Sequence, residues 1–140
     1  MSEDLGRPRS HALDRWDYRG VFAPFHIQWG EAVGQPAFEA AQAYGIAVQE
    51  LHLDNLLTVW GHREVLVSFS SDHIQVGAHA AAGETAWVVI VAGLRTQGAR
   101  DGGIFERLRP GAGAIVQALI DARTGEVLLG TAVPVSLTQA

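Results

Sequence analysis

The run Ala86-Trp87-Val88-Val89-Ile90-Val91-Ala92-Gly93 constrains this chain more than any other stretch. Successive side chains of a strand point to opposite faces, and this run is apolar at odd and even positions alike, so both faces of the strand it forms are hidden. Such a strand belongs in the middle of a sheet. A second apolar run, Ala114-Ile115-Val116-Gln117-Ala118-Leu119-Ile120, leads into Asp121-Ala122-Arg123-Thr124-Gly125 and then Glu126-Val127-Leu128-Leu129. An Asp at the start of a turn accepts a hydrogen bond from the backbone two residues on, and a Gly at its end tolerates positive φ. Asp121 to Glu126 therefore reads as a hairpin loop in an antiparallel sheet, and its polar side chains are explained by turn chemistry.

At 140 residues the chain has the size of one ordinary domain with one core. Apolar residues make up 48% and charged residues 18%, against about 45–50% and about 25% in typical domains. The shortage of surface charge leaves room for part of the surface to be covered by another subunit. A net charge of −5 gives no electrostatic footprint for nucleic acid or an anionic membrane, so neither is expected as a partner. Every basic residue is Arg, which excludes a lysine Schiff base, a P-loop lysine or any other lysine nucleophile within the chain. Cysteine is absent, and with it disulfides, thiolate catalysis and Cys-ligated zinc. No apolar stretch has the length of a membrane span or the form of a signal-peptide core. As given, the chain reads as soluble and cytoplasmic, although a secreted domain trimmed of its signal would look the same.

Residues 1–18 read as a flexible N-terminal segment and 19–140 as a single domain. From Trp16 to Trp29 the texture turns aromatic, with Trp16, Tyr18, Phe22, Phe25 and Trp29 interrupted by Gly20 and Pro24. Two accounts fit. The segment is either a first strand across the sheet, with Phe25, Ile27 and Trp29 on one face, or an arm that docks on a partner or a second copy. Gly34-Gln35-Pro36 opens the best helix, running with Ala37, Ala40, Ala41 and Tyr44 on one small face until Gly45 stops it. Ile46 to Leu57 is ambiguous, with a lean toward a short helix or turn before a strand at Leu57 to Trp60. Gly61-His62 suggests a turn into a strand Glu64 to Phe69, with Asp72 to Gly77 as its continuation or a further strand. Ala78 to Glu84 reads as a small-residue loop, and Gly93 to Gly113 as a long one, rich in glycine and arginine.

Candidate chemistry is sparse. A metal ion would need two or three of the six histidines to converge with a carboxylate, and the set to consider is His52, Asp54, His62 and His73. No helical ligand spacing supports it, so surface or hydrogen-bonded histidines are the leading expectation, with no metal and no cofactor. Ser68, Ser70, Ser71, Asp72 and His73 hold the letters of a triad, but neighbours on one strand point to alternating faces and cannot form a relay. No catalytic residue is assigned. Arg95, Arg100, Arg107 and Arg109 in the Gly93 to Gly113 loop are able to clamp an anion or a protein partner, against the plainer account of a solvated connection.

The helix after Pro36, the Trp87-Val88-Val89 strand ending in Gly93, and the hairpin Ile120-Asp121-Ala122-Arg123-Thr124-Gly125-Glu126-Val127-Leu128 resemble the PepSY-type and related cystatin-like modules. The resemblance implies one helix packed on a small antiparallel sheet, and a non-enzymatic role in inhibiting or regulating a partner such as a protease. The fold expected from residues and resemblance together is α+β, one main helix on an antiparallel sheet of about four to five strands. The leading functional expectation is a non-catalytic binding or regulatory domain of inhibitor or adaptor type, with homodimerisation an option. Its partner-binding residues would be Trp16, Tyr18, Phe22, Phe25, Trp29, Arg95, Arg107 and Arg109. The alternative is an enzyme or ligand carrier of the NTF2-like kind, its apolar pocket lined by Trp60, Phe69 and Trp87, with His52, Asp54 or His73 as acid or base.

Overall fold

The computed structural model describes Leu13 and residues 15–32, 34–96 and 113–135. Five strands form one antiparallel sheet in simple sequence order: β1 (Gln28–Glu31), β2 (Leu57–Val76), β3 (His79–Arg95), β4 (Gly113–Asp121) and β5 (Val127–Val135). Three α-helices are described, α1 (Tyr18–Val21), α2 (Ala40–Glu50) and α3 (Leu53–Leu56), and a 3₁₀ turn spans Ala23–Phe25. The architecture is α+β, one main helix on an antiparallel sheet, as the apolar runs imply.

β3 is the centre of the sheet, and residues 86–93 are all buried. Alternation divides its side chains between two cores. Trp87, Val89 and Val91 join Val116, Ala118 and Ile120 of β4 beneath α2, which contributes Ala43 and Ala47. Val88, Ile90 and Ala92 join Ile115 and Leu119 on the opposite face, where Leu13, Tyr18 and Phe22 cover them. Each face thus has its own lid, a helix on one side and the N-terminal aromatic segment on the other. Leu13 and Tyr18, within the span read as flexible, are 4% and 8% exposed.

The aromatic segment matches neither account in full. It is a compact cover made of α1, the 3₁₀ turn and the short β1, folded over its own chain, and only Gln28 to Glu31 pair as strand, against Ser70 to Val67 of β2. One buried side chain anchors it. Gln117 is fully buried in β4, accepts the Trp16 indole N–H at 2.7 Å and donates to the Tyr18 carbonyl at 3.1 Å. A lone amide in an apolar face is unfavourable unless both ends are satisfied, and the cover satisfies both.

Three expectations built on small residues are corrected. The main helix starts at Ala40 rather than Pro36, with Gln42 Oε1 accepting the Glu39 N–H at 3.1 Å to close its first turn, and it runs through Gly45 to Glu50. Gly45 is exposed on the outer side, where a glycine weakens a helix by roughly 1 kcal/mol without ending it. Gly61-His62 is not a turn: β2 continues across it with a bulge between Val59 and Gly61. That bulge brings β2 so close that a Cβ on Gly93 would lie 2.4 Å from the Thr58 carbonyl oxygen, which explains the glycine opposite. Residues 79–84 are not a loop but the start of β3; the turn is Gly77-Ala78, with Gly77 at φ +64°. Further irregularity around Ser71 absorbs the small residues there.

The Asp121 to Glu126 hairpin forms as read. Asp121 N–H donates to the Glu126 carbonyl and Gly125 N–H to the Asp121 carbonyl, both at 2.9 Å, and Gly125 takes φ +81°. Asp121 Oδ1 accepts the Arg123 N–H at 2.8 Å, and the Arg123 guanidinium reaches Glu84 on β3 at 3.0 Å. These polar groups hold the turn to the sheet.

Gln117→Leu preserves volume but strands the Trp16 N–H and the Tyr18 carbonyl. We expect a loss of about 1–3 kcal/mol in urea unfolding. A change below about 0.5 kcal/mol, the size of an ordinary surface substitution, would show that the cover does not depend on this residue.

Candidate functional site

The cover presents its outer side as an aromatic and arginine rim on a rigid base. Asp17 accepts the Gly20 N–H at 3.0 Å and so starts α1; the same carboxylate fills the space a Cβ on residue 20 would take, at 2.4 Å. α1 points Tyr18 inward and leaves Arg19 in solvent. Pro24 fixes the 3₁₀ turn that follows, and His26 at φ 53° turns the chain into β1, where Trp29 pairs with Phe69.

Phe22 is the floor of this arrangement. It has no exposed surface, lies 6.2 Å from Trp29 with the rings near parallel, and meets Phe25 edge-on at 6.4 Å. Tyr18 meets Trp29 edge-on at 5.5 Å. The Arg19 guanidinium carbon lies 5.7 Å from the Tyr18 ring and 5.8 Å from the Trp29 ring, within reach of a cation–π attraction to both. Trp16, Phe25 and Trp29 are each half-buried. The rim thus combines half-buried Trp and Phe rings with the exposed Arg19.

Of the partner-binding set expected from sequence, Trp16, Phe25 and Trp29 reach this surface. Tyr18 and Phe22 are buried in the chain's own core, Phe22 completely and Tyr18 with 8% of its surface exposed. Arg95 is not in a loop: it ends β3 opposite Leu57 and is 6% exposed, which removes it from a solvent-facing arginine clamp. Arg107 and Arg109 lie outside the described residues. Arg19, which sequence reasoning passed over, belongs to the rim; its spacing one residue after Tyr18 was the available signal.

His52, Asp54, His62 and His73 are not brought together. His52 is exposed at φ 55° before α3, and Asp54 is exposed in the first turn of that helix rather than beside it on a strand. His73 stacks on His26 with ring centroids 4.6 Å apart. Among the described residues no group of three or more His, Asp or Glu is placed to hold a metal ion. The expected pocket lining also separates, because Trp87 belongs to the core under α2 and Phe69 to the core under the cover. A sheet one residue thick lies between them.

One titratable cluster does form, at the corner of α2 and β2. His62 and Glu64 alternate onto the same face and meet with Nδ1 2.6 Å from Oε2, and the Tyr44 ring from α2 stacks on the imidazole at 3.8 Å. A carboxylate on Nδ1 and a ring stacked on its face fix the imidazole's orientation. Tyr44 is pushed above its ordinary value of 10.0 first by burial and then by the negative charge of Glu64.

Comparison with protein-family models, with curated proteins and with solved structures finds no match for this chain.

The raised Tyr44 value favours the neutral phenol in the folded state. Its contribution to stability is full below the unfolded value of about 10 and is lost as pH rises through the folded one. Phenolate absorbance should therefore show a step above pH 10 that disappears in Tyr44→Phe and moves down in Glu64→Gln. A step that ignores Glu64→Gln would remove the carboxylate from the account.

Proposed function

We propose that this chain is a non-catalytic binding or regulatory domain acting through protein–protein contacts, with the rim Trp16, Arg19, Phe25 and Trp29 as its contact surface. The observation that carries this reading is the cation placed over Trp29 on a buried aromatic floor. Trp, Tyr and Arg dominate the energetics of protein interfaces, and a side chain already locked by its own neighbours loses little entropy on binding. The inhibitor or adaptor role attached to PepSY-type and cystatin-like modules is compatible with such a surface, and one helix on an antiparallel sheet is compatible with their architecture.

A second reading, an enzyme or small-molecule carrier of the NTF2-like kind, is favoured by the Tyr44, His62 and Glu64 cluster alone. Its catalytic step would need a substrate-binding concavity next to His62 Nε2. The protein-binding reading uses more of the surface and needs no such cavity.

The test compares capture of partners from the native host by the intact chain and by Arg19→Glu combined with Phe25→Ala. Arg19 is exposed and Phe25 half-buried against Phe22, so circular dichroism and urea unfolding of the double variant separate lost binding from lost folding. A partner held by the intact chain should bind the double variant at least about tenfold more weakly. Footprinting of the bound complex should protect Trp16 and Trp29. Equal binding by both chains, with unprotected tryptophans, would overturn the assignment.

A further inference from the structure

Among the described residues the sheet has two outer edges, and they are guarded unequally. β1 is four residues long, ends in Glu31, and pairs only with residues 67–70 of β2. Beyond it, the Leu57 to Leu66 part of β2 has no outer strand among the described residues, but it carries His62, Arg63 and Glu64 and is bent by the bulge at Val59 and Gly61. Short strands, charges and bulges are the devices that stop one sheet edge from pairing with another. On this side all three are present.

β5 has almost none of them. It is last in the sheet order, runs nine residues as Val-Leu-Leu-Gly-Thr-Ala-Val-Pro-Val, and contains no charged side chain. Its register with β4 shifts once, between Val127 and Leu129, and is unbroken from Leu129 to Val135. Pro134, near one end, is the one exposed position of the strand, and with the irregularity at Leu128 near the other it leaves residues 129–133 unguarded. The others are half-buried, beside a β4 whose residues 114–121 are buried. An uncharged strand is complementary to itself, because antiparallel pairing of two copies sets no like charges against each other. A twofold axis through the middle of β5 would also join like faces, with α2 of both copies on one side and both covers on the other.

We propose that β5 is the dimerisation edge of this protein, pairing antiparallel with β5 of a second copy to make one continuous ten-stranded sheet. The contact is isologous and closes at two copies, since the edges that remain are the guarded β1 and β2 sides. This surface is separate from the rim proposed to bind a different protein, so either assignment can fail alone.

Light scattering across a dilution series tests it on the full chain. Wild type is expected at twice 15.0 kDa, falling to 15.0 kDa on dilution. Thr131→Lys and Thr131→Glu, each at a half-buried polar position at the centre of β5, should each remain single, and an equal mixture of the two should recover the dimer through opposite charges. Hydrogen exchange on wild type alone supplies a readout independent of the variants: amides of residues 127–135 should slow as concentration rises. A single-copy wild type would overturn the proposal, including one whose β5 amides are protected at every concentration, which would place another part of the same chain on that edge. A dimer unchanged in both variants, or β5 exchange that ignores concentration, would overturn it as well.

Discussion

A strand buried on both faces requires two covers, and that requirement organises the rest of this molecule. Removing either would return large apolar side chains of β3 and β4 to water. On the cover side Val88, Ile90, Ile115 and Leu119 together represent on the order of 6–12 kcal/mol of burial, comparable to the whole stability of a typical domain. Neither lid is therefore dispensable. The helix meets the need with Ala43 and Ala47, small enough to let its backbone approach the sheet. The opposite face is closed by bulk instead, with Tyr18 and Phe22 spread over it.

The same requirement explains why the cover is polar at one point only. Gln117 interrupts an otherwise apolar face, and its amide selects a single docking position by demanding one donor and one acceptor. An all-apolar face would hold the segment with less positional specificity, because dispersion and hydrophobic burial have no direction. Arg123 performs a comparable task at the far end of the hairpin, joining Asp121 to Glu84 across two strands. Its exposed position limits what the ion pair itself adds, and the backbone hydrogen bonds of the turn matter more.

Period and turn chemistry made the α+β class, the central place of β3 and the Asp121 to Glu126 hairpin legible in the sequence, since these follow from local rules. Glycine was the misleading letter. Gly45, Gly61 and the small residues from Ala78 each resemble punctuation, yet Gly45 faces solvent, Gly61 belongs to a bulge, and Gly83 sits within β3 at φ 60°. What distinguishes a stop from a bulge is the approach of another strand, and no local pattern contains it. The site was legible in composition but not in orientation. Trp16, Phe25 and Trp29 remained at the surface while Tyr18 and Phe22 turned inward, because a four-residue helix replaced the continuous strand that alternation had suggested. Tyr44, His62 and Glu64 come together only because α2 crosses β2 at that height.

The distance along the chain between Trp16 and its acceptor Gln117, 101 residues, has a consequence for biosynthesis. Trp16 leaves the ribosome about a hundred residues before the strand that carries its acceptor. At about 5–20 residues per second the interval is on the order of 5–20 s. Throughout it the Trp16 indole N–H lacks its native acceptor, whereas Trp29 has its partner Phe69 as soon as β2 is made. The cover is accordingly able to dock from its β1 end inward, and its α1 end is fixed only when the strand carrying Gln117 has been made.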